Sequence, residues 1–265
     1  MTSTSEASSQ LAQLLRAAIQ LGASDVHLKA GAAPMFRIDG DLRPVEAPAT
    51  AAAELDGICI QLIGTSAADL ASMLHHEFSY EWPGVGRFRG HFYRSRGKST
   101  LALRPIPLKI PSMNELRLPL ASRKACGLTQ GLVLVSGATG MGKSTTLASL
   151  VDTIAHTTCR HIVTIEDPIE YVFEDGMSQV TQREVGRDVE SFDEGLRQAL
   201  RQDPDVLLIG EARDRETMEV ALHAAESGHL VLTSAHFSDV QSAVNGIIGM
   251  ADAKEQTNWR FRLAD

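Results

Sequence analysis

The chain has 265 residues, of which 33 are acidic and 25 basic, giving a formal charge of −8 at pH 7. With 43% hydrophobic and 22% charged residues it can bury a core in one large domain or two modest ones, which excludes a fibrous or wholly disordered protein. The acidic balance argues against a nucleic-acid partner or a broad anionic-membrane footprint, because both reward clustered Lys and Arg.

Residues 1–10 are rich in Ser and Thr and carry no basic residues ahead of an apolar stretch, so they read as a disordered tail and not as a signal peptide. No apolar run reaches the roughly 20 residues of a membrane helix. Cys59, Cys126 and Cys159 include no C-x-x-C pair, so the expected compartment is reducing cytoplasm, with membrane association only through a partner.

Leu11 to Leu21 has the spacing of an amphipathic helix stopped at Gly22, and Ser24–Leu28 and Met35–Ile38 alternate as strands before the turn Asp39-Gly40-Asp41. A helix follows from about Ala51 to Leu62, then strands at Arg87–Tyr93 and Ser99–Arg104. Residues 11–104 thus read as a small α+β domain. Four prolines between Pro105 and Pro119 mark 105–120 as a linker, since proline removes a ladder donor and extends its predecessor.

Residues 121–265 have another texture. Leu132–Val135, Ile162–Ile165, Val206–Ile209 and Leu230–Leu232 are short, continuously apolar runs suited to strands covered on both faces. Helical patterns lie between them, from Ser144 to about Ala155, around Phe192–Leu200, and from Asp214 to Ser227 with a stop at Gly228. The alternation predicts an α/β, doubly wound parallel core.

Gly137, Ala138, Thr139, Gly140, Met141, Gly142, Lys143 and Ser144 match the phosphate-loop pattern G-x-x-x-x-G-K-[ST] in full, between a predicted strand and a predicted helix. The glycines let backbone amides turn inward on phosphate oxygens, aided by the helix N-terminus. Lys143 is expected to reach the β- and γ-phosphates, Ser144 to give a hydroxyl to Mg²⁺, and Thr145 to help bind the α-phosphate of ATP. Two carboxylates, Glu166 and Glu170, follow the second apolar strand, where a glutamate can orient the attacking water if that strand neighbours the loop. Glu211 ends the run Asp205–Gly210 like a Walker B acid, to hold Mg²⁺ through water or act on the nucleophile. His229 and His236 flank the last strand, one to sense the γ-phosphate and the other to meet a neighbouring subunit or loop.

In this order, Gly137–Thr145, Thr164–Glu170, Leu200–Asp214 and Glu226–Leu232 resemble the secretion ATPase superfamily, and within it the type IV pilus retraction ATPases of the twitching-motility PilT family. Ser24–Leu28, Met35–Asp41 and Pro83–Arg89 are similar to the same family, so the resemblance spans about Leu11 to Asp265. It implies a RecA-like P-loop NTPase domain behind a smaller PAS-like N-terminal domain, and a homohexameric cytoplasmic ring that hydrolyses ATP with Mg²⁺. It implies as partners an inner-membrane pilus platform protein and paralogous pilus ATPases. The family's N-terminal arginines, which reach the phosphates, map to Arg89 and Arg104; its acidic box to Glu166 and Glu170; its Walker B acid to Glu211; its histidine box to His229 and His236.

Assembly ATPases of the superfamily commonly carry a four-cysteine zinc module and a longer N-terminus, neither of which matches here, so retraction is the expected subtype. The other readings are a nucleotide-binding regulatory paralogue with weak turnover and a type II or conjugation-type secretion ATPase. Three departures stand out. Met141 replaces a common small residue, Ser242–Gly246 lacks the family's arginine, and the chain stops at Asp265 inside a family helix, as expected of a fragment or shortened paralogue.

Overall fold

Residues that alternate in polarity build the first half of the chain, and continuous apolar runs build the second. A computed structural model describes residues 2–107 and 109–264, and the chain divides into two units, Met1–Leu108 and Lys109–Asp265.

The first unit contains, in order, α1 (Thr2–Gln20), β1 (Asp25–Lys29), β2 (Met35–Ile38), β3 (Asp41–Pro44), α2 (Ala52–Ile63), α3 (Ala67–Ser72), β4 (His75–Trp82), β5 (Gly86–Ser95) and β6 (Lys98–Ile106). The strands form one sheet in the order β3-β2-β1-β6-β5-β4, antiparallel throughout. Leu11, Leu15 and Ala18 of α1 and Leu55, Cys59 and Leu62 of α2 bury themselves against Val26, Leu28, Phe88, Phe92, Leu101 and Leu103 of the sheet. The alternate residues of β5 and β6, among them Arg89 and Arg104, stay on the other face.

Two boundaries differ from the expectation. The helix begins at Thr2 and not at Leu11, because 2–10 contain neither Gly nor Pro to stop a helix propagating backwards. Strand β6 runs through Pro105 to Ile106, past the start expected for the linker. Its pairing with β1 ends at Leu103, so beyond that point it bonds β5 on one side only and tolerates a residue without an N–H.

The second unit contains α4 (Leu120–Ala125), β7 (Gly131–Ser136), α5 (Lys143–Thr157), β8 (His161–Glu166), β9 (Gln179–Glu184), α6 (Phe192–Ala199), β10 (Val206–Ile209), α7 (Arg215–Glu226), β11 (Leu230–Ala235), α8 (Val240–Met250) and α9 (Gln256–Arg262). All neighbours in the sheet β7-β11-β10-β8-β9 are parallel. Successive residues of each central strand serve opposite cores. Ile162, Val206, Leu208, Leu230 and Leu232 pack with α5, whereas Val163, Ile165, Leu207, Ile209 and Val231 pack with α6 and α7. This two-sided burial is why the runs are apolar without alternation.

Helix α9 is anchored by Trp259, 1% exposed, within a cluster with Met218, Leu222 and Ile247. Among the described residues no helix is long and apolar enough to cross a membrane. Trp259→Ala should destabilise the second unit by about 3–5 kcal/mol, the usual cost of emptying such a site, measured by denaturant unfolding; a loss below about 1 kcal/mol would show that α9 is dispensable to the core.

Candidate functional site: the phosphate loop and its strand ends

Strand β7 delivers the glycine loop at the carboxyl end of the parallel sheet, where α/β folds bind ligands. Gly140 and Gly142 adopt φ of 81° and 87°, the left-handed region that glycine enters without steric cost. Gly142 is also the N-cap of α5, and no side chain caps that end, so the first amides of the helix are left for an anion. Lys143 Nζ donates to the carbonyls of Gly137 at 3.0 Å and Ala138 at 3.2 Å, folded over its own loop. Ser136 Oγ donates to Phe237 O at 2.7 Å and accepts from Phe237 N at 3.0 Å, so the ends of β7 and β11 are tied together.

Because β11 lies between β7 and β10, its terminal side chain stands between the loop and the acidic strand end. His236 Nδ1 is 3.4 Å from Lys143 Nζ, and His236 Nε2 is 2.7 Å from Glu211 Oε1. An imidazole that accepts at Nδ1 and carries its proton on Nε2 satisfies both contacts. Glu211 Oε1 is buried and meets His236 as a close ion-pair contact without an aligned hydrogen bond, while Oε2 lies 2.7 Å from Arg213 Nη2. The β10 end is itself pinned, since Ser234 Oγ donates to Gly210 O at 2.7 Å and Gly210 N to Ile165 O at 2.8 Å. A buried carboxylate oxygen together with the Ser144 hydroxyl is an oxygen donor set that suits a hard cation such as Mg²⁺.

The acidic box does not lie where strand adjacency would have put it. Strand β8 is separated from β7 by β10 and β11, so Glu166 at its end is not beside the loop strand. Glu166 is buried, and its Oε1 accepts from Thr164 Oγ1 at 2.8 Å and Gln182 Nε2 at 3.0 Å. Burial pushes this carboxyl up to about 7 against the pull of hydrogen bonds from Thr164, Gln182 and the Glu170 backbone. The turn that follows, with a cis Asp167–Pro168 bond, brings the chain back towards the loop: Tyr171 OH lies 3.0 Å from Thr145 Oγ1, on the first turn of α5. Half-buried Glu170 sits directly before that tyrosine.

The remaining expected groups sit on other elements. His229 precedes β11, at the opposite end of that strand from His236, where its Nδ1 contacts Ala224 O at 3.0 Å and Ser227 Oγ at 3.2 Å. Arg89 and Arg104 belong to the first unit, where they are register partners across β5 and β6. Each holds a carboxylate: Arg89 Nη2 is 2.9 Å from Glu77 Oε2, and Arg104 Nη2 is 2.9 Å from Asp25 Oδ1. The Arg89 hydrogen bond holds Glu77 below the usual carboxylate range. Tyr171, Gln182 and Ser136 were not anticipated. The position of Tyr171 beside the acidic segment was visible in the sequence, but nothing local connects it to Thr145.

Residues 112–258 match the family described as type II/IV secretion system protein. The type IV pilus retraction ATPase PilT of Pseudomonas aeruginosa is 40% identical over 96% of this chain and 74% of its own length. A twitching motility protein of Neisseria gonorrhoeae is 38% identical over 88% of this chain and 62% of its own. A crystal structure of the pilus retraction motor PilT with bound ADP superposes with a TM-score of 0.90 at 42% identity, covering 96% of this chain and 74% of that one. The chain belongs to the type II/IV secretion system protein family and is a secretion ATPase of the PilT type.

Proposed function

We propose that the chain hydrolyses ATP with Mg²⁺ as part of a homohexameric cytoplasmic motor that retracts a type IV pilus, acting on an inner-membrane platform protein and beside paralogous pilus ATPases. The polar chain from Lys143 through His236 to Glu211 at the mouth of the glycine loop supports this reading most directly. The likeness to a retraction ATPase and to an ADP-bound motor supports the nucleotide and the task.

In this reading the amides of Gly137 to Thr145 and the N-terminus of α5 hold the phosphates, and Lys143 leaves its loop carbonyls for them. Mg²⁺, held by Ser144 and Glu211, supplies charge neutralisation on the phosphate oxygens when bound. His236, between Lys143 and Glu211, senses whether the γ-phosphate has drawn the lysine away. Glu170 orients the water, because its turn is carried to the loop by the Tyr171 contact with Thr145. Glu166, engaged on Oε1 by Thr164 and Gln182, holds that turn. His229, at the opposite end of β11, meets a neighbouring subunit, and Arg89 and Arg104 exchange their carboxylates for the phosphoryl group.

Mg²⁺-dependent phosphate release should fall at least about 100-fold in Lys143→Ala and in Glu211→Ala; ATP binding without turnover by the parent chain at saturating ATP would instead identify a regulatory subunit. Glu170→Gln should lower kcat about 100-fold or more with nucleotide still bound, and Glu166→Gln much less; the reverse ranking in steady-state kinetics would exchange their roles.

Glu166 also sets a pH dependence. Its carboxyl is raised from 4.5 to about 7 in the fold, so its contribution to stability is fully present below about 4.5 and is lost as pH rises through about 7. Relative to Glu166→Gln, which cannot ionise, the parent chain should lose on the order of 2–3 kcal/mol between pH 5 and pH 9. Parallel urea midpoints across that range would refute the assignment.

A further inference from the structure

The acidic turn is held from outside by side chains of the edge strand β9, and one of them, Gln182, bonds it at three points. Gln182 Nε2 donates to Glu166 Oε1 at 3.0 Å and to Tyr171 O at 2.9 Å, and its Oε1 accepts from Phe173 N at 2.8 Å. One primary amide therefore bonds residues on both sides of the turn, spending both of its N–H donors and one acceptor site. Two positions on, Glu184 Oε2 accepts from Ile169 N at 3.1 Å, so the same strand also grips the middle of the turn. The far side of the turn touches the loop helix through Tyr171 and Thr145.

We propose that Gln182 is a positioning residue for hydrolysis: by tying Glu166, Tyr171 and Phe173 to β9 it fixes where Glu170 stands relative to the phosphate loop. This rests on the reading of the chain as an ATPase with Glu170 at the water. An amide is the chemistry the place requires. An ionised carboxylate keeps the acceptor for Phe173 N but has no hydrogen for Glu166 or Tyr171 O, and an aliphatic side chain satisfies none of the three. Each lost bond frees a segment whose displacement by about 1 Å costs up to about 100-fold in rate.

The test uses the full chain with Gln182→Glu and Gln182→Leu, each read by ATP turnover and by hydrogen exchange of the amides from 167 to 173. The expected result is a kcat lower by about 10- to 100-fold with KM for ATP little changed, and faster exchange confined to the turn. Combined with Tyr171→Phe, the loss should be less than the product of the two single losses, because both variants release the same turn. Wild-type kcat in the two folded variants, or multiplicative losses with Tyr171→Phe, would overturn the inference. If Gln182→Leu fails to fold, Gln182→Glu decides the kinetics. A parent chain that hydrolyses no ATP overturns the ATPase reading instead, and the exchange data then decide whether Gln182 holds the turn: unchanged protection in the variants means that it does not.

Discussion

Lys143, His236 and Glu211 come from three different segments, and the imidazole touches both of the others. That meeting is possible only because β11 is inserted between the strand that carries the loop and the strand that carries the acid. Each partner is then held by backbone that has little freedom: β7 and β11 by the Ser136 hydroxyl bonded twice to Phe237, and β10 by Ser234 and Ile165 around Gly210. The site is thus a set of rigid strand ends bearing one soft element, the glycine loop. In the proposed mechanism, displacement of Lys143 by a phosphate would be read against an imidazole and a carboxylate on strand ends held in place.

Much of this was legible in the residues. Four of the five strands of the second sheet announce themselves as apolar runs: β8, β10 and β11 are buried on both faces, and β7 is half-buried with Leu132, Val133 and Val135 against the cores. The fifth, β9, reads Gln179-Val-Thr-Gln-Arg-Glu184 and gives no such signal, since only Glu184 at its end is fully buried. Its polar side chains spend themselves on the acidic turn. Strand order was illegible for a different reason: nothing in a local pattern says that β10 and β11 insert between β7 and β8, so the acids appeared closer to the loop strand than they are. The return of the chain through Tyr171 to Thr145 is equally a long-range fact.

In the first unit β3, α3 and β4 were missed, β4 although Phe78, Tyr80 and Trp82 alternate along it and pack on the core. His75, His76 and Glu77 ahead of them, with Ser79 and Glu81 between them, dilute the apolar signal. Gly90 opposite Phe78 explains how that edge strand lies so close: a Cβ there would stand 2.2 Å from the ring. On the other face of the same sheet, Arg89 and Arg104 are like charges in direct register, an arrangement that is unfavourable without counter-charge. Glu77 and Asp25 supply it, so an incoming anion would have to displace carboxylates and would bind more weakly as salt rises. With a net charge of −8, such exchange is the way an acidic chain keeps basic residues available without attracting polyanions broadly.

The position of β7 at the sheet margin bears on how the protein is born. Among the described residues its only neighbour in the ladder is β11, and Ser136 and Phe237, which close that junction, stand 101 positions apart in the chain. Contacts of such sequence separation form slowly, because a long loop must be closed before any of its pairing is gained. During synthesis from the N-terminus, the phosphate loop therefore emerges on a strand with nothing to pair with, and it acquires its shape only after β11 has left the ribosome. The strand that carries the phosphate loop and the two that carry its acid and histidine are thus completed together, by the last third of the chain.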